Sequence, residues 1–337
     1  MGSKSKQAMT LVGRQLAIIP STGLGDGLVM LVLAHNLYRL GAHITVFHGP
    51  LSQLASWFPD FHFEPLPEAN LFSRLGAFDL TIQVESYLSE MLSSQQYQQL
   101  GPRHLFLRMD PGVNAYEQLI HQGRQQQHPD PLLHRLVASQ GVVIPHIHRG
   151  DNMVSNLMRY CQATLGVMPL KQPRLSISDA APRSQRVIIH PASSAWKRNW
   201  APAKFIQVAR QLAQQGYEPI FAVSPQEFSY WNEILETTGF MLTQWSLDEL
   251  AQALCEACLF IGNDSGPGHL ASILGIPTVT VHARKRSFYM WRPGWSRAAI
   301  AACPIAGSSL LKGPRHLRSL LSASRVMQAV QQILNRP

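Results

Sequence analysis

The sequence predicts an α/β protein made of two doubly wound, parallel-sheet domains that face each other across a central cleft. Three observations predict it. At 337 residues the chain exceeds one ordinary domain of roughly 100–150 residues. Short apolar runs alternate with helix-period runs in both halves, the pattern of βαβ units around a parallel sheet. Between the halves, Met168-Pro-Leu-Lys-Gln-Pro173 and Ala180-Ala-Pro182 are proline-rich and read as a linker or domain edge. An N-terminal domain over 1–172 and a C-terminal domain over 173–337 follow, and the last helix can pack back on the first domain.

In the first half, Leu16–Pro20 reads as a buried strand and Leu28–Leu40 as a helix ended by Gly41. His43–Phe47 is a second strand, Leu51–Phe58 a helix, and Leu80–Val84 and His104–Leu107 are further strands. From about Asp110 to Arg149 the pattern loosens, and Met153–Leu165 is a helix leading out of the domain. The second half restarts the series with a strand at Arg186–His190. Pro202 then opens a helix whose Phe205, Val208, Ala209 and Leu212 keep helical spacing. Glu218–Val223 is the next strand. Ser246-Leu-Asp-Glu249 is a capping box that starts a helix running to Cys258. Phe260–Val281 reads as strand, tight turn, helix and strand, with Pro267 at the first helical position and Gly275 closing the helix. Arg318–Leu334 is a final helix.

Composition excludes several classes. No run approaches the ~18 apolar residues of a membrane span, and Met1–Gln7 is a polar tail without a secretory apolar core, so a cytosolic protein is expected. Four cysteines do not make a disulfide framework in so long a chain. The lone Cys255-x-x-Cys258 reads as core thiols, and His146 and His148 are weak metal ligands. Charge is segregated. The 73 residues after Asp264 carry ten Lys and Arg and no Asp or Glu, whereas the preceding part holds 19 basic and 20 acidic residues. The formal +9 therefore belongs to the C-terminal quarter, a field that suits an anion such as a nucleotide diphosphate, a phosphorylated acceptor or the anionic face of an inner membrane. No nucleic-acid motif accompanies it.

Three turns at strand ends carry the chemistry. Asp264-Ser-Gly266, before a helix, uses small residues and leaves helix-start N–H groups open to an anion, a phosphate site in waiting. Such turns occur throughout α/β proteins and most bind nothing. Asp264, Ser265 and His269 do not make a hydrolase triad, since they crowd one turn and lack the Gly-x-Ser-x-Gly elbow. The first turn, Ser21-Thr-Gly-Leu-Gly-Asp-Gly27, spaces Gly23 and Gly25 as a dinucleotide loop does, but Leu28 fills the third glycine position. The second strand also ends at Phe47-His-Gly49 without a ribose-binding acid. A nicotinamide enzyme is disfavoured. Asp26 admits two readings, an N-cap or a general base at the mouth of a cleft. Lys197 and Arg198 precede a helix start, where cations oppose the macrodipole and so suit a bound anion. Glu227, after the next strand, is placed to accept ribose hydroxyls.

Together these residues resemble glycosyltransferase family 9, the lipopolysaccharide heptosyltransferases, which have the GT-B architecture of two Rossmann-like domains. Asp264, Ser265, Gly266, His269, Leu270 and Ala271 match its Asp-(Ser/Thr)-Gly-x-x-His-(Leu/Ile)-Ala signature. Gly25-Asp26 resembles its Gly-Asp, Lys197-Arg-Asn-Trp-Ala-Pro202 its Lys-x-Trp-Pro with one extra residue on each side of the tryptophan, and Glu227 its glutamate. The chain departs from the family at His282-Ala-Arg-Lys-Arg-Ser-Phe288, where a Gly-Pro-Thr-like loop is usual, and at Gly27, where a β-branched residue is usual.

The resemblance implies an inverting transferase using a nucleotide-diphosphate sugar, ADP-heptose by analogy, on a lipid-linked or glycan acceptor. It implies Asp26 as the base, and Lys197, Glu227, Asp264, Ser265, Gly266 and His269 on the donor side. Gly23, Gly25 and Arg284 fall near acceptor or phosphate. His269 either touches phosphate or braces the turn. No metal is expected, since no Asp-x-Asp pair offers itself. Two alternatives stay open, a transferase with another sugar nucleotide and acceptor, and a non-catalytic nucleotide-binding homologue.

Overall fold

The computed structural model describes residues 10–67, 69–84, 92–109, 117–139, 150–177, 185–193, 199–282, 289–302 and 320–335. The chain divides into two compact units, Met1–His148 with Ser155–Arg174, and Arg149–Val154 with Leu175–Pro337. Among the described residues no helix is long and apolar enough to cross a membrane.

The first unit contains β1 (Gln15–Ile19), α1 (Leu24–Tyr38), β2 (His43–Phe47), α2 (Gly49–Ser52), β3 (His62–Glu64), α3 (Leu71–Gly76), β4 (Leu80–Val84), α4 (Ser94–Leu100), β5 (His104–Leu107), α5 (Glu117–Arg124), α6 (Pro131–Ala138) and α7 (Met153–Leu165), the last shared with the short Arg149–Val154 piece of the other unit. Its five strands are all parallel, in the order β3-β2-β1-β4-β5. Parallel strands covered on both faces need continuous apolar runs, and β1, β2 and β4 are buried almost throughout.

The second unit contains β6 (Arg186–His190), α8 (Pro202–Gln214), β7 (Glu218–Ala222), α9 (Pro225–Leu235), β8 (Met241–Thr243), α10 (Leu247–Cys255), β9 (Leu259–Asn263), α11 (Gly266–Ile273), β10 (Thr278–His282), β11 (Ala298–Ala302) and α12 (Ala323–Leu334). Its parallel order is β11-β10-β9-β6-β7-β8. The predicted stripe Phe205, Val208, Ala209 and Leu212 is buried in one core with Phe221, Trp231, Ile261 and Val330. Both orders place a topological switch point beside the first strand of the unit, between β1 and β4 and between β6 and β9.

Several boundaries differ from expectation. The expected Leu51–Phe58 helix is two short pieces, α2 and a 3-10 turn over Ala55–Trp57. Ser52 Oγ donates to Gly49 O at 2.7 Å, and Phe58 precedes Pro59, which disfavours helical backbone before it. α1 begins at Leu24, four residues early, so Gly25, Asp26 and Gly27 are helical rather than loop. α10 stops at Cys255 because Cys258 N–H donates to Arg186 O at 2.9 Å and draws the chain into the sheet. Pro267 is the second residue of α11, where its missing N–H is equally harmless. α12 starts at Ala323, with Ser322 accepting the Arg325 N–H.

The Met168–Pro173 stretch is strapped to α1 within the first unit. Buried Asn36 donates from Nδ2 to Leu170 O at 2.8 Å and accepts the Leu170 N–H at 3.0 Å, and Arg39 donates to Met168 O at 3.0 Å. Ala180–Pro182 lies outside the described residues.

Inside the same unit His104 is fully buried against Tyr97 and Phe106, and its Nε2 lies 3.1 Å from Gln83 Oε1. Burial pushes its pKa down from 6.5 to about 3. As pH falls below about 6.5 the unfolded chain takes up the proton first, so this contribution to stability is complete above that pH and drains away toward pH 3. Urea unfolding at pH 5 should therefore give a free energy on the order of 2 kcal/mol below that at pH 7 from this group. His104→Gln should flatten the dependence, and an unchanged slope would show that His104 is not its source.

Candidate functional site

In the second unit the β6 and β9 loops meet at the switch point through Asn263, the last residue of β9, which has no solvent exposure. Its Oδ1 accepts the Trp200 N–H at 3.0 Å, and its Nδ2 donates to Pro191 O at 2.6 Å. One primary amide thus fixes both ends of the loop that follows β6. The strands approach closely here. A Cβ on Gly262 would stand 2.7 Å from His190 O, so only glycine fits. Trp200 is buried too, its indole N–H donating to Leu321 O at 3.1 Å.

The chain then turns through Asp264 into α11. Ser265 holds the N-cap position with extended backbone, but its side chain makes no capping bond, donating instead to Asn263 O at 3.2 Å. No acid stands in the first turn of α11. α8, on the other side of the switch point, likewise has an N-cap without a side-chain bond (Ala201), no acid in its first turn, and Pro202 as its first residue. The neighbouring helices differ. α10 carries the predicted Ser246–Glu249 box, with Ser246 Oγ accepting the Glu249 N–H at 3.2 Å. At α9 the Glu227 Oε2 accepts both the Ser224 N–H at 3.0 Å and the Ser224 hydroxyl at 2.7 Å. Glu227 therefore caps α9, a duty beyond the expected one of accepting ribose hydroxyls.

Asp264 sits beside two buried imidazoles. His282 Nδ1 lies 3.6 Å from Asp264 Oδ2, and its Nε2 is 3.0 Å from Thr280 Oγ1. His269 is buried, edge-on to Trp295 at 6.3 Å, with its pKa pushed down to about 4. Burial is the main cause, opposed by Asp264 and the Trp291 backbone. At neutral pH His269 is thus an uncharged ring, and among the described residues its Nδ1 has no hydrogen-bond partner. His190, at the end of β6, is also held neutral by burial, with Glu227 pulling its pKa back up. Lys197 and Arg284 lie outside the described residues, as do Arg198, His146 and His148. Cys255 and Cys258 are half-buried free thiols, and burial raises the pKa of each.

In the first unit Gly23 is the N-cap of α1 and Asp26 its third helical residue. The N-cap reading of Asp26 is therefore corrected. Its carboxylate folds back over the cap, with Oδ2 only 2.5 Å from where a Cβ on Gly23 would stand. Gly25 lies between them in the first turn. The helix starts early because burial of its apolar body outweighs the poor helix propensity of these glycines.

Residues 134–306, just over half of the chain, match the model of glycosyltransferase family 9 (heptosyltransferase). The chain belongs to glycosyltransferase family 9. Over 148 residues this family-9 chain is 28% identical to lipopolysaccharide heptosyltransferase 3 of Escherichia coli, a match covering 41% of the chain and 43% of that relative. It thus spans less than half the length of the curated relative. A solved structure of E. coli ADP-heptose lipopolysaccharide heptosyltransferase II aligns with a TM-score of 0.65 over 95% of this chain and 98% of that one, at 16% identity. E. coli heptosyltransferase WaaC with ADP aligns with a TM-score of 0.61 over 94% and 99%, also at 16% identity. At such identity the likeness establishes the fold, and the predicted GT-B class, two Rossmann-like units, is the one observed.

Of the predicted donor-side residues, Asp264, Ser265, Gly266 and His269 lie together from the end of β9 into the start of α11, while Glu227 lies in the first turn of α9, after β7, with β6 between the two strands. Asn263 was missed. Its partners lie 63 and 72 residues away, so no local spacing announces it. Asn263→Ala should orphan the Trp200 N–H and the Pro191 carbonyl and destabilise the unit by about 2–3 kcal/mol. Denaturant unfolding measures this, and a change within ~0.5 kcal/mol would mean that the amide does not tie the loops.

Proposed function

We propose that this family-9 chain is an inverting glycosyltransferase that moves a sugar, heptose by analogy, from ADP-heptose to a lipopolysaccharide-core or other cell-envelope glycan acceptor. One observation carries the reading. The two helices flanking the switch point of the second unit, α8 and α11, start without side-chain caps or acids, while α9 and α10 each use an acid at their start. Helix starts left bare at a switch point suit the diphosphate of a nucleotide sugar.

In this reading the Ser265 hydroxyl and the backbone amides near Gly266 receive the diphosphate, with Lys197 as its cation. Asp264 and neutral His269 hold the turn in shape, and Glu227 orients the nucleoside through carboxylate capacity left beyond its cap. Asp26 accepts the proton of the acceptor hydroxyl as that oxygen forms a bond to the anomeric carbon. The bond from that carbon to the diphosphate oxygen breaks, and the electron pair leaves on the nucleotide. Donors aimed at such developing charge contribute roughly 3–4 kcal/mol each. A second reading, another sugar nucleotide, is favoured by the basic His282–Phe288 segment that replaces the family's usual loop.

Thermal shifts with ADP, UDP, GDP and dTDP separate the donors. ADP at about 100 times its Kd should add ~2.7 kcal/mol of stability, and a shift by another nucleotide alone would favour the second reading. Asp26→Asn should lower turnover by about 10²–10⁴-fold with ADP affinity unaltered; full activity would remove Asp26 as the base, and nucleotide binding without any turnover would identify a non-catalytic homologue.

The cationic lysine and the bare helix starts also make a divalent ion unnecessary in this mechanism. Transfer should persist in EDTA, and loss that Mg²⁺ or Mn²⁺ restores would overturn that part of it.

A further inference from the structure

The face of β10 turned toward α11 is polar, although strands covered on both faces of a parallel sheet are ordinarily apolar throughout. Val279 and Val281 follow that rule, packed in one core with Phe205 and Val330. Side chains alternate along a strand, so Thr278, Thr280 and His282 share the opposite face. All three are buried, His282 with 1% exposure. A Cβ added to Gly268 would stand 3.3 Å from Thr280 Cγ2, so this polar face lies directly against the first turn of α11.

Sheet register sets the partner of His282. Val281 pairs with Asn263 in the parallel ladder, which brings the next residue of each strand, His282 and Asp264, side by side. Asp264 Oδ2 lies 3.6 Å from His282 Nδ1, and Thr280 Oγ1 lies 3.0 Å from Nε2. The first distance is a close electrostatic contact, longer than a hydrogen bond. It still assigns the ring. A carboxylate repels a nitrogen lone pair and attracts an N–H, so Nδ1 carries the proton, and in the neutral ring the Thr280 hydroxyl donates to Nε2. Thr280 thus keeps the imidazole from turning, with its Nδ1–H toward the carboxylate.

Asp264 stands one residue before the Ser265 N-cap, and no acid follows it in the chain. A carboxylate turned onto helix-start amides takes the place of an incoming anion. We propose that His282 is a positioning residue: anchored by Thr280, it draws the Asp264 carboxylate toward the end of β10 and so keeps the amides at the start of α11 open to a diphosphate. The inference rests on the reading of that elbow as the diphosphate site. A packing role would need only the volume of the ring. The positioning role needs an N–H facing the carboxylate, and it matters only while a carboxylate is there.

That last condition supplies the experiment. Calorimetry measures affinity for whichever of ADP, UDP, GDP and dTDP stabilises the protein most, and for its parent nucleoside. His282→Leu should weaken diphosphate binding about tenfold while nucleoside affinity stays within about twofold. His282→Asn retains an amide N–H near the Nδ1 position and should stay within about threefold of wild type. In an Asp264→Ala background His282→Leu should alter diphosphate affinity by less than about twofold. Equal losses in both backgrounds, a parallel loss of nucleoside binding, or a His282→Asn variant as weak as His282→Leu would overturn the proposal, as would unchanged affinity in His282→Leu.

A measurement on the unaltered protein is independent of variant folding. ¹⁵N-histidine NMR should show a proton on Nδ1 of His282, and a bare Nδ1 would overturn the hold on Asp264. Should the unaltered protein bind none of the four nucleotides, the reading of the elbow falls. The Nδ1 proton, with unfolding midpoints for His282→Leu, Asp264→Ala and the double variant, then decides the contact by itself. Non-additive losses are expected, and additive ones would show that His282 does not hold Asp264.

Discussion

The second unit depends on a single buried amide. Asn263 meets a backbone donor and a backbone acceptor from opposite ends of the loop after β6, and does so at the one place where the sheet reverses its winding. Loops at the carboxyl ends of strands cannot draw on ladder hydrogen bonds, so their buried polar groups must be satisfied individually. An asparagine does this for two groups at once without introducing a charge. The close strand approach that Gly262 permits brings β6 and β9 near enough for the amide to reach. Register, glycine and amide therefore form one device, and the elbow from Asp264 to Gly266 is shaped by it before any ligand is considered.

Electrostatics around that elbow follow from the segregation of charge along the chain. Asp264 is the last carboxylate of the sequence. Its neighbours His269 and His282 are both almost wholly buried, and His269 is held neutral by burial. An uncharged imidazole such as His269 adds no permanent cation beside the carboxylate. The basic residues of the C-terminal quarter follow Asp264 in the sequence without any acid among them.

How far the sequence could be read depends on the distance over which each signal acts. Long buried strands and amphipathic helices carry their own periodicity, and Met153–Leu165, Arg186–His190 and the Phe205–Leu212 stripe are observed as expected. The three-residue strands β3 and β8 are too short to show a period, and β11, Ala298–Ala302, lacks the β-branched run that marks a strand. Ser246–Glu249 and Ser224–Glu227 have identical spacing and both form capping boxes, but a glutamate just after a strand equally suits a ligand group, so spacing alone does not assign Glu227 its cap. Asn36 and Asn263 carry no local signal for another reason. The groups they satisfy lie far along the chain, where residue type carries no trace of the pairing.

The two units solve the same topological problem with opposite electrostatics. In each, the first strand of the sheet runs out at a switch point beside the start of a helix. At α1 the start already contains an anion, since Asp26 folds back over the Gly23 cap. At α11 no acid is present and the Ser265 side chain turns away to Asn263 O. A helix start with a resident carboxylate repels a second anion, and one without any leaves its amides in want of a partner. The two helix starts thus differ by one resident carboxylate, which α1 carries at Asp26 and the first turn of α11 lacks. Duplicated architecture allows this difference, because one residue in a helical turn sets the charge at a helix start while leaving the surrounding sheet untouched.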